Sequence, residues 1–363
     1  MLNMQIFFHS ILHLIQHMTP KERFEAALNL KQVDHVPLFY QHLGASSYLQ
    51  KSTGILIKEG YEDPEKFAKL SLEAYNIFKF DNVMAGWGDI LIEAQAHGTK
   101  LKFTDPRFYP RVESYVPMDR VGLLRPVDPM QDSMWSVILR GSKIMMEKIG
   151  NQVAVVGCIN SPMVIAMEII GMENLMMSIY KDPELVNYIL RTVTESSIAY
   201  LEHIVKMGIS ETFIENGSAG GEMVSLATYE TFDRKYLAEL LGLCEKLGLK
   251  TILHNCAAEP FYESQLELRP NALHVHLNAV DAEVLFSLLK GKTCVMAGID
   301  HSNLLFKGTP GQVETEVKRI LNIWKEGDGL IMAPGCELPF KTPIENINRL
   351  REATIFNSKK IIK

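Results

Sequence analysis

The sequence predicts an α/β protein, a (β/α)8 TIM barrel with an inserted β-hairpin and an N-terminal helical extension. Three observations carry that expectation. Short, largely apolar runs recur eight times, bounded by turn residues and separated by stretches of helical period. Eight strands alternating with helices are the count of a closed parallel barrel. The competing doubly wound sheet, in its dinucleotide-binding form, carries a Gly-rich loop after its first strand. Here Gln41-His42-Leu43-Gly44-Ala45 stands at that place, with no G-x-G-x-x-G.

Taken in order, residues 1–17 are apolar but lack the basic start and small-residue cleavage site of a signal peptide. They are too short, and too interrupted by His and Gln, for a membrane span. They read as an extension dispensable to a single barrel domain over 18–363. Thr19 caps a first helix with Pro20 at its first position, running to about residue 30. Val36-Pro37-Leu38-Phe39-Tyr40 is the first strand, a helix follows over 64–78, and Asp81-Asn82-Val83-Met84 is the second strand. Lys100-Leu101-Lys102-Phe103 and Val112-Glu113-Ser114-Tyr115 flank a Pro-bearing turn and form the inserted hairpin. The third strand, Ala154-Val155-Val156-Gly157-Cys158, precedes helical runs over 163–180 and 183–207. Thr212-Phe213-Ile214-Glu215 is the fourth strand, before a helix over 228–247. Lys250-Thr251-Ile252-Leu253 is the fifth and leads into His254. Ala272 to His276, Cys294 to Ala297 and Leu330 to Ala333 complete the eight, with helices over 281–289 and 310–325 between them. The clustered methionines among 145–177 read as adaptable core packing.

Composition narrows the function. A 47% hydrophobic and 22% charged chain of 363 residues is an ordinary globular protein. Its net charge of −6 gives no electrostatic reason for a nucleic-acid partner, and no run suits a membrane. Five scattered cysteines (158, 244, 256, 294 and 336) make no disulfide framework and fit a cytoplasmic location.

Barrel chemistry sits where strands end, and polar residues follow these strands repeatedly: Asn216, His254, Cys256, His276, Asp300 and Cys336. Residues i and i+2 of a strand share a face, so His254 and Cys256 project together. The eighth strand delivers Cys336 after Pro334-Gly335. One imidazole and two thiols make a zinc site with an open coordination position, the catalytic type. A core histidine with two buried cysteines is the plain alternative. Cys158, Cys244 and Cys294 read as structural or incidental, although Cys158 ends a strand and so has the barrel mouth as its alternative place.

Several stretches resemble the uroporphyrinogen decarboxylase superfamily. They are Ala333-Pro334-Gly335-Cys336-Glu337-Leu338-Pro339 with Thr342-Pro343-Ile344-Glu345-Asn346, Ala297-Gly298-Ile299-Asp300 with Gly308-Thr309-Pro310, Thr19-Pro20-Lys21-Glu22-Arg23-Phe24 and Asp34-His35-Val36-Pro37. The resemblance spans roughly 18–357 and is strongest to the branch that moves methyl groups between corrinoid proteins and small acceptors. It implies Zn2+ on His254, Cys256 and Cys336, which serve both as metal ligands and as the catalytic set. It also implies a methylcobalamin-type corrinoid protein as methyl donor, and coenzyme M or tetrahydrofolate as acceptor. Zinc deprotonates a bound thiol, which then attacks the methyl group on cobalt. Two departures stand out. Ala257-Ala258 follow the H-x-C where Gly is common, and His276-Leu277-Asn278 stand where relatives carry an acidic residue, so His276 becomes a candidate fourth metal contact. A pterin acceptor would call on Asp81, Asn82, Asn216 and Asp300, although each also reads as a turn or cap residue. Glu93 is a candidate mouth residue, with a solvated surface charge as its ordinary reading, and Gly217-Ser218-Ala219-Gly220-Gly221 reads as a loop that is flexible or closely approached by a ligand. True decarboxylases carry arginines just after the first strand, and Tyr40-Gln41-His42-Leu43-Gly44 has none. A non-catalytic corrinoid- or tetrapyrrole-binding barrel is the second reading.

Overall fold

The structure, a computed structural model, describes residues 17–88, 91–325, 328–360 and 362. The expected N-terminal extension therefore lies almost wholly outside the described residues. The strands are β1 (Asn82–Ala85), β2 (Lys100–Lys102), β3 (Arg111–Ser114), β4 (Ala154–Asn160), β5 (Glu211–Glu215), β6 (Lys250–Asn255), β7 (Ala272–His276), β8 (Cys294–Ile299) and β9 (Leu330–Pro334). The main helices are α1 (Pro20–Leu28), α2 (Pro64–Phe78), α3 (Ser133–Ile149), α4 (Pro162–Ile170), α5 (Met172–Lys181), α6 (Pro183–Lys206), α7 (Lys235–Leu247), α8 (Ala282–Leu289), α9 (Pro310–Trp324) and α10 (Ile344–Ser358).

Seven strands pair in parallel in the order β1-β4-β5-β6-β7-β8-β9. The expected first strand closes the ring as an eighth stave, but not as a regular strand. Phe39 N donates to Met332 O and Met332 N to Pro37 O, both at 2.9 Å, so the segment joins β9. Pro37 has no N–H, which shortens that ladder. On the other side Asp81 N donates to Leu38 O at 2.9 Å. The Asn82 side chain then imitates a ladder partner: its Oδ1 accepts from Tyr40 N at 2.6 Å and its Nδ2 donates to Tyr40 O at 2.9 Å. The (β/α)8 barrel is thus closed through a side-chain amide.

α1 begins as expected, with Thr19 Oγ1 accepting from Glu22 N and Glu22 Oε2 from Thr19 N, a reciprocal capping box. β2 and β3 form the expected antiparallel hairpin. The helical run at 163–180 is instead two helices, α4 and α5, bent by 107° at Gly171. Among the described residues no single helix is long and apolar enough to cross a membrane. Met145, Met163 and Met167 are buried as core residues, whereas Met172 and Met177 on α5 are exposed. The helix expected over 228–247 enters through a π turn at Tyr229–Arg234.

A layer of rings fills the barrel below its carboxyl end. Phe213 of β5 stacks on Phe39 (centroids 5.3 Å apart) and on His254 of β6 (5.2 Å), with His274 of β7 at 5.8 Å. At the opposite end of the barrel, Arg23 of α1 bonds Asp81 Oδ1 at 2.5 Å and Asp34 through two nitrogens at 2.5 and 2.9 Å. Asp81 Oδ2 accepts from Leu38 N at 2.7 Å. Burial pushes the Asp81 carboxyl up to about 6 against the pull of Arg23.

Asp81 and Asn82 therefore act at the amino end of β1, where they join the first stave to its neighbour. Asp81→Ala removes one partner of a buried ion pair, and we expect it to destabilise the fold by about 3–5 kcal/mol in urea unfolding. The folded fraction should keep its metal content; lost metal with unchanged stability would make Asp81 a site residue instead.

Candidate metal centre

β6 ends by presenting His254, fully buried, with Cys256 one turn position beyond the strand. Cys336 arrives from the turn after β9. His254, Cys256 and Cys336 each offer a ligand atom, all within 4.8 Å of one another. The turn reaches them because glycines let it cross β8. A Cβ on Gly298 would lie 2.6 Å from Gly335 Cα, and one on Gly335 would lie 2.2 Å from His276 Cδ2.

Hydrogen bonding sets which nitrogen of His254 is available. His274 Nε2 lies 2.9 Å from Pro334 O, and a carbonyl only accepts, so this nitrogen carries the proton. Burial, followed by the charge of His254, holds the His274 imidazole well below its ordinary value, so the ring is neutral. Its Nδ1 is then a lone pair that accepts from His254 Nδ1–H at 2.8 Å. The His254 nitrogen left over is Nε2. It is buried with no hydrogen-bond partner among the described residues, and 3.6 Å from Glu215 Oε2. An orphaned buried nitrogen beside two thiols fits a cation, and one His with two Cys suits zinc.

The metal-free electrostatics agree. Burial disfavours a charged His254, but Glu215 and Cys256 outweigh it and raise the ring to about 9. The Cys256 thiol is pulled below its usual range, first by the hydrogen bond from Cys336 and then, against burial, by His254. Cys336 is pushed up correspondingly, by the same shared proton and by burial. One proton on His254 and one on the thiol pair thus stand where a divalent cation would be.

Residues that the sequence reading passed over surround the cluster. Burial opposes the charge of Glu215, yet His254 and His42 hold its carboxyl below the usual range, and its Oε1 bonds His42 Nε2. Gln41 Nε2 lies 3.0 Å from His42 Nε2 and 3.9 Å from Cys336 Sγ. Cys158 Sγ is 4.0 Å from His42 Nδ1, so this cysteine borders the site, while Cys244 and Cys294 are buried elsewhere. From the hairpin, Tyr109 OH donates to Glu337 Oε1 at 2.6 Å and ties the insertion to the turn that carries Cys336. Strand parity was the missed signal: Glu215 pairs in register with His254, and His254 with His274.

The other candidates fall elsewhere. His276 groups with Asp300 and His301 rather than with the three ligands. Asn216 turns into a buried network, bonded to Asp233 Oδ2 at 2.8 Å and Gln265 Nε2 at 2.7 Å. Glu93 is buried against Asn160, which donates to it from backbone and side chain. The 217–221 loop packs on the 257–260 turn through a bridge between Gly220 and Pro260.

The profile of the family described as uroporphyrinogen decarboxylase (URO-D) matches residues 19–355. The chain belongs to that family. Within it, the chain is 25% identical over 337 residues to the methylcobamide:CoM methyltransferase MtbA of Methanosarcina acetivorans, covering 92% of this chain and 97% of the relative. It is 23% identical over 338 residues to the uroporphyrinogen decarboxylase of Cellvibrio japonicus, covering 88% and 92%. A solved methyltransferase from Methanosarcina mazei superposes with a TM-score of 0.84 at 24% identity, covering 93% of this chain and 98% of that one, and so shares its fold.

Zinc uptake by the metal-free protein should release two protons near neutral pH, one from His254 and one from the cysteine pair. Protons compete with metal, so affinity falls as pH falls below the raised His254 value of about 9. With two protons displaced, the loss is about a hundredfold per pH unit. Titration in a weakly buffered indicator solution measures this; release of no proton would contradict the assignment.

Proposed function

We propose that this chain is a zinc-dependent methyltransferase that carries a methyl group from a methylated corrinoid protein to a small thiol of the coenzyme M type. The observation that carries the reading is His254 Nε2, orphaned and fixed in tautomer, facing two thiols at the barrel mouth. Near-full-length likeness to methylcobamide:CoM methyltransferases supports it.

His254, Cys256 and Cys336 hold the metal, and the His274–Pro334 bond keeps His254 aimed at it. Zinc held there supplies a Lewis acid that keeps an acceptor thiol ionised at neutral pH. With a methylated corrinoid as the substrate that donates the group, the acceptor sulfur would gain the methyl group and the bond's electron pair would stay with the departing corrinoid. Glu215 remains a carboxylate beside the cluster, its charge set against His254. His42, bonded to Oε1, holds Glu215 in place. The ring layer of Phe39 and Phe213 closes the floor and keeps water from below.

A thiol acceptor is favoured over tetrahydrofolate by the positions of Asp81, Asn82 and Asn216, all occupied in structural hydrogen bonds. Gln41 and His42 turn toward the metal cluster from the place where a decarboxylase carries arginine, which speaks against that activity.

The test is anaerobic incubation of the purified protein with free methylcobalamin and either coenzyme M or tetrahydrofolate, following cob(I)alamin. Thiol-dependent turnover is expected. Cys256→Ala and Cys336→Ala should lower it by at least about 100-fold, the upper range for losing a mere supporting partner of a metal ligand. Methylation of tetrahydrofolate alone, or full turnover in both variants, would overturn the reading.

A further inference from the structure

A second group of metal-binding side chains stands on the same carboxyl-end face of the barrel. His276 closes β7, and Asp300-His301 follow the neighbouring strand β8, with His276 in register with Gly298. The three offer ligand atoms within 4.8 Å of one another. The two imidazoles lie with their centroids 5.6 Å apart. Each has one ring nitrogen buried without a hydrogen-bond partner among the described residues, Nε2 in His276 and Nδ1 in His301. Two orphaned imidazole nitrogens side by side are costly unless something binds them.

We propose that His276, Asp300 and His301 form a second divalent transition-metal site, distinct from the cysteine site. Two imidazoles and one carboxylate are an established donor set for Zn2+, Fe2+ and Co2+. Asp300 is already oriented for it. Oδ1 accepts from Ser302 N at 2.9 Å and Asn303 N at 2.7 Å, and Oδ2 accepts from the amides of Asn278 and Asn303. Ligating carboxylates are commonly held in this way by outer hydrogen bonds. His276 is braced by the Gly335 backbone, so the Pro-Gly-Cys turn positions one ligand of each site. The proposal does not depend on methyl transfer.

Stepwise titration of chelator-treated protein with Co2+ separates the two sites, because thiolate ligation gives charge-transfer absorption and an imidazole–carboxylate site does not. Wild type should bind two equivalents, one with that absorption and one without. His301→Ala should lose only the silent equivalent, and Cys256→Ser should keep it. Circular dichroism of each variant confirms that it is folded. A single equivalent in wild type, or two in His301→Ala, would overturn the proposal. Loss of the thiolate bands in His276→Ala would also overturn it, by returning His276 to the cysteine site.

Discussion

The bond between His274 and the Pro334 carbonyl governs the candidate metal centre. Pro334 lies two residues before Cys336, so the turn that delivers one thiol also dictates the protonation of an imidazole two strands away. The relay runs from the carbonyl through His274 to His254 and ends at a single free nitrogen. A ligating histidine usually hands its second N–H to a carboxylate, a carbonyl or water. An imidazole here extends the reach of the carbonyl and keeps water away, and burial of His274 ensures that it stays neutral.

That relay works only because the barrel is closed. His254 and His274 face each other through the β6–β7 register, and Phe213 and Phe39 support both rings from below. Phe39 belongs to the stave that Pro37 leaves short of ladder bonds. Its place is secured by Asn82 on one side and by Arg23–Asp81 below. The same stave continues into Gln41 and His42, which reach Cys336 and Glu215. Structural pairing at the amino end thus determines which side chains stand at the carboxyl end.

Much of this was legible in the sequence where local pattern and spacing suffice. The strands carrying His254 and the turn carrying Cys336 were read nearly to the residue, since buried parallel strands are short apolar runs with clear ends. Glu215 was open to the same parity argument, but its position at a strand terminus drew attention to Asn216 instead. His276 illustrates a different limit: it stands in the right strand position to join the candidate zinc cluster, yet its ring lies close against Gly335 and groups with Asp300 and His301. Asn82 as a substitute for backbone pairing was not legible, because its partner lies some forty residues away. The break at Gly171 was masked because a lone Gly in a run of helical character does not by itself mark an end.

Zinc K-edge X-ray absorption on the zinc-loaded protein addresses the central claim most directly. The three-ligand centre predicts two sulfur scatterers at about 2.3 Å and an imidazole nitrogen at about 2.0 Å. A metal surrounded only by nitrogen and oxygen, with no sulfur in its first coordination shell, would contradict it.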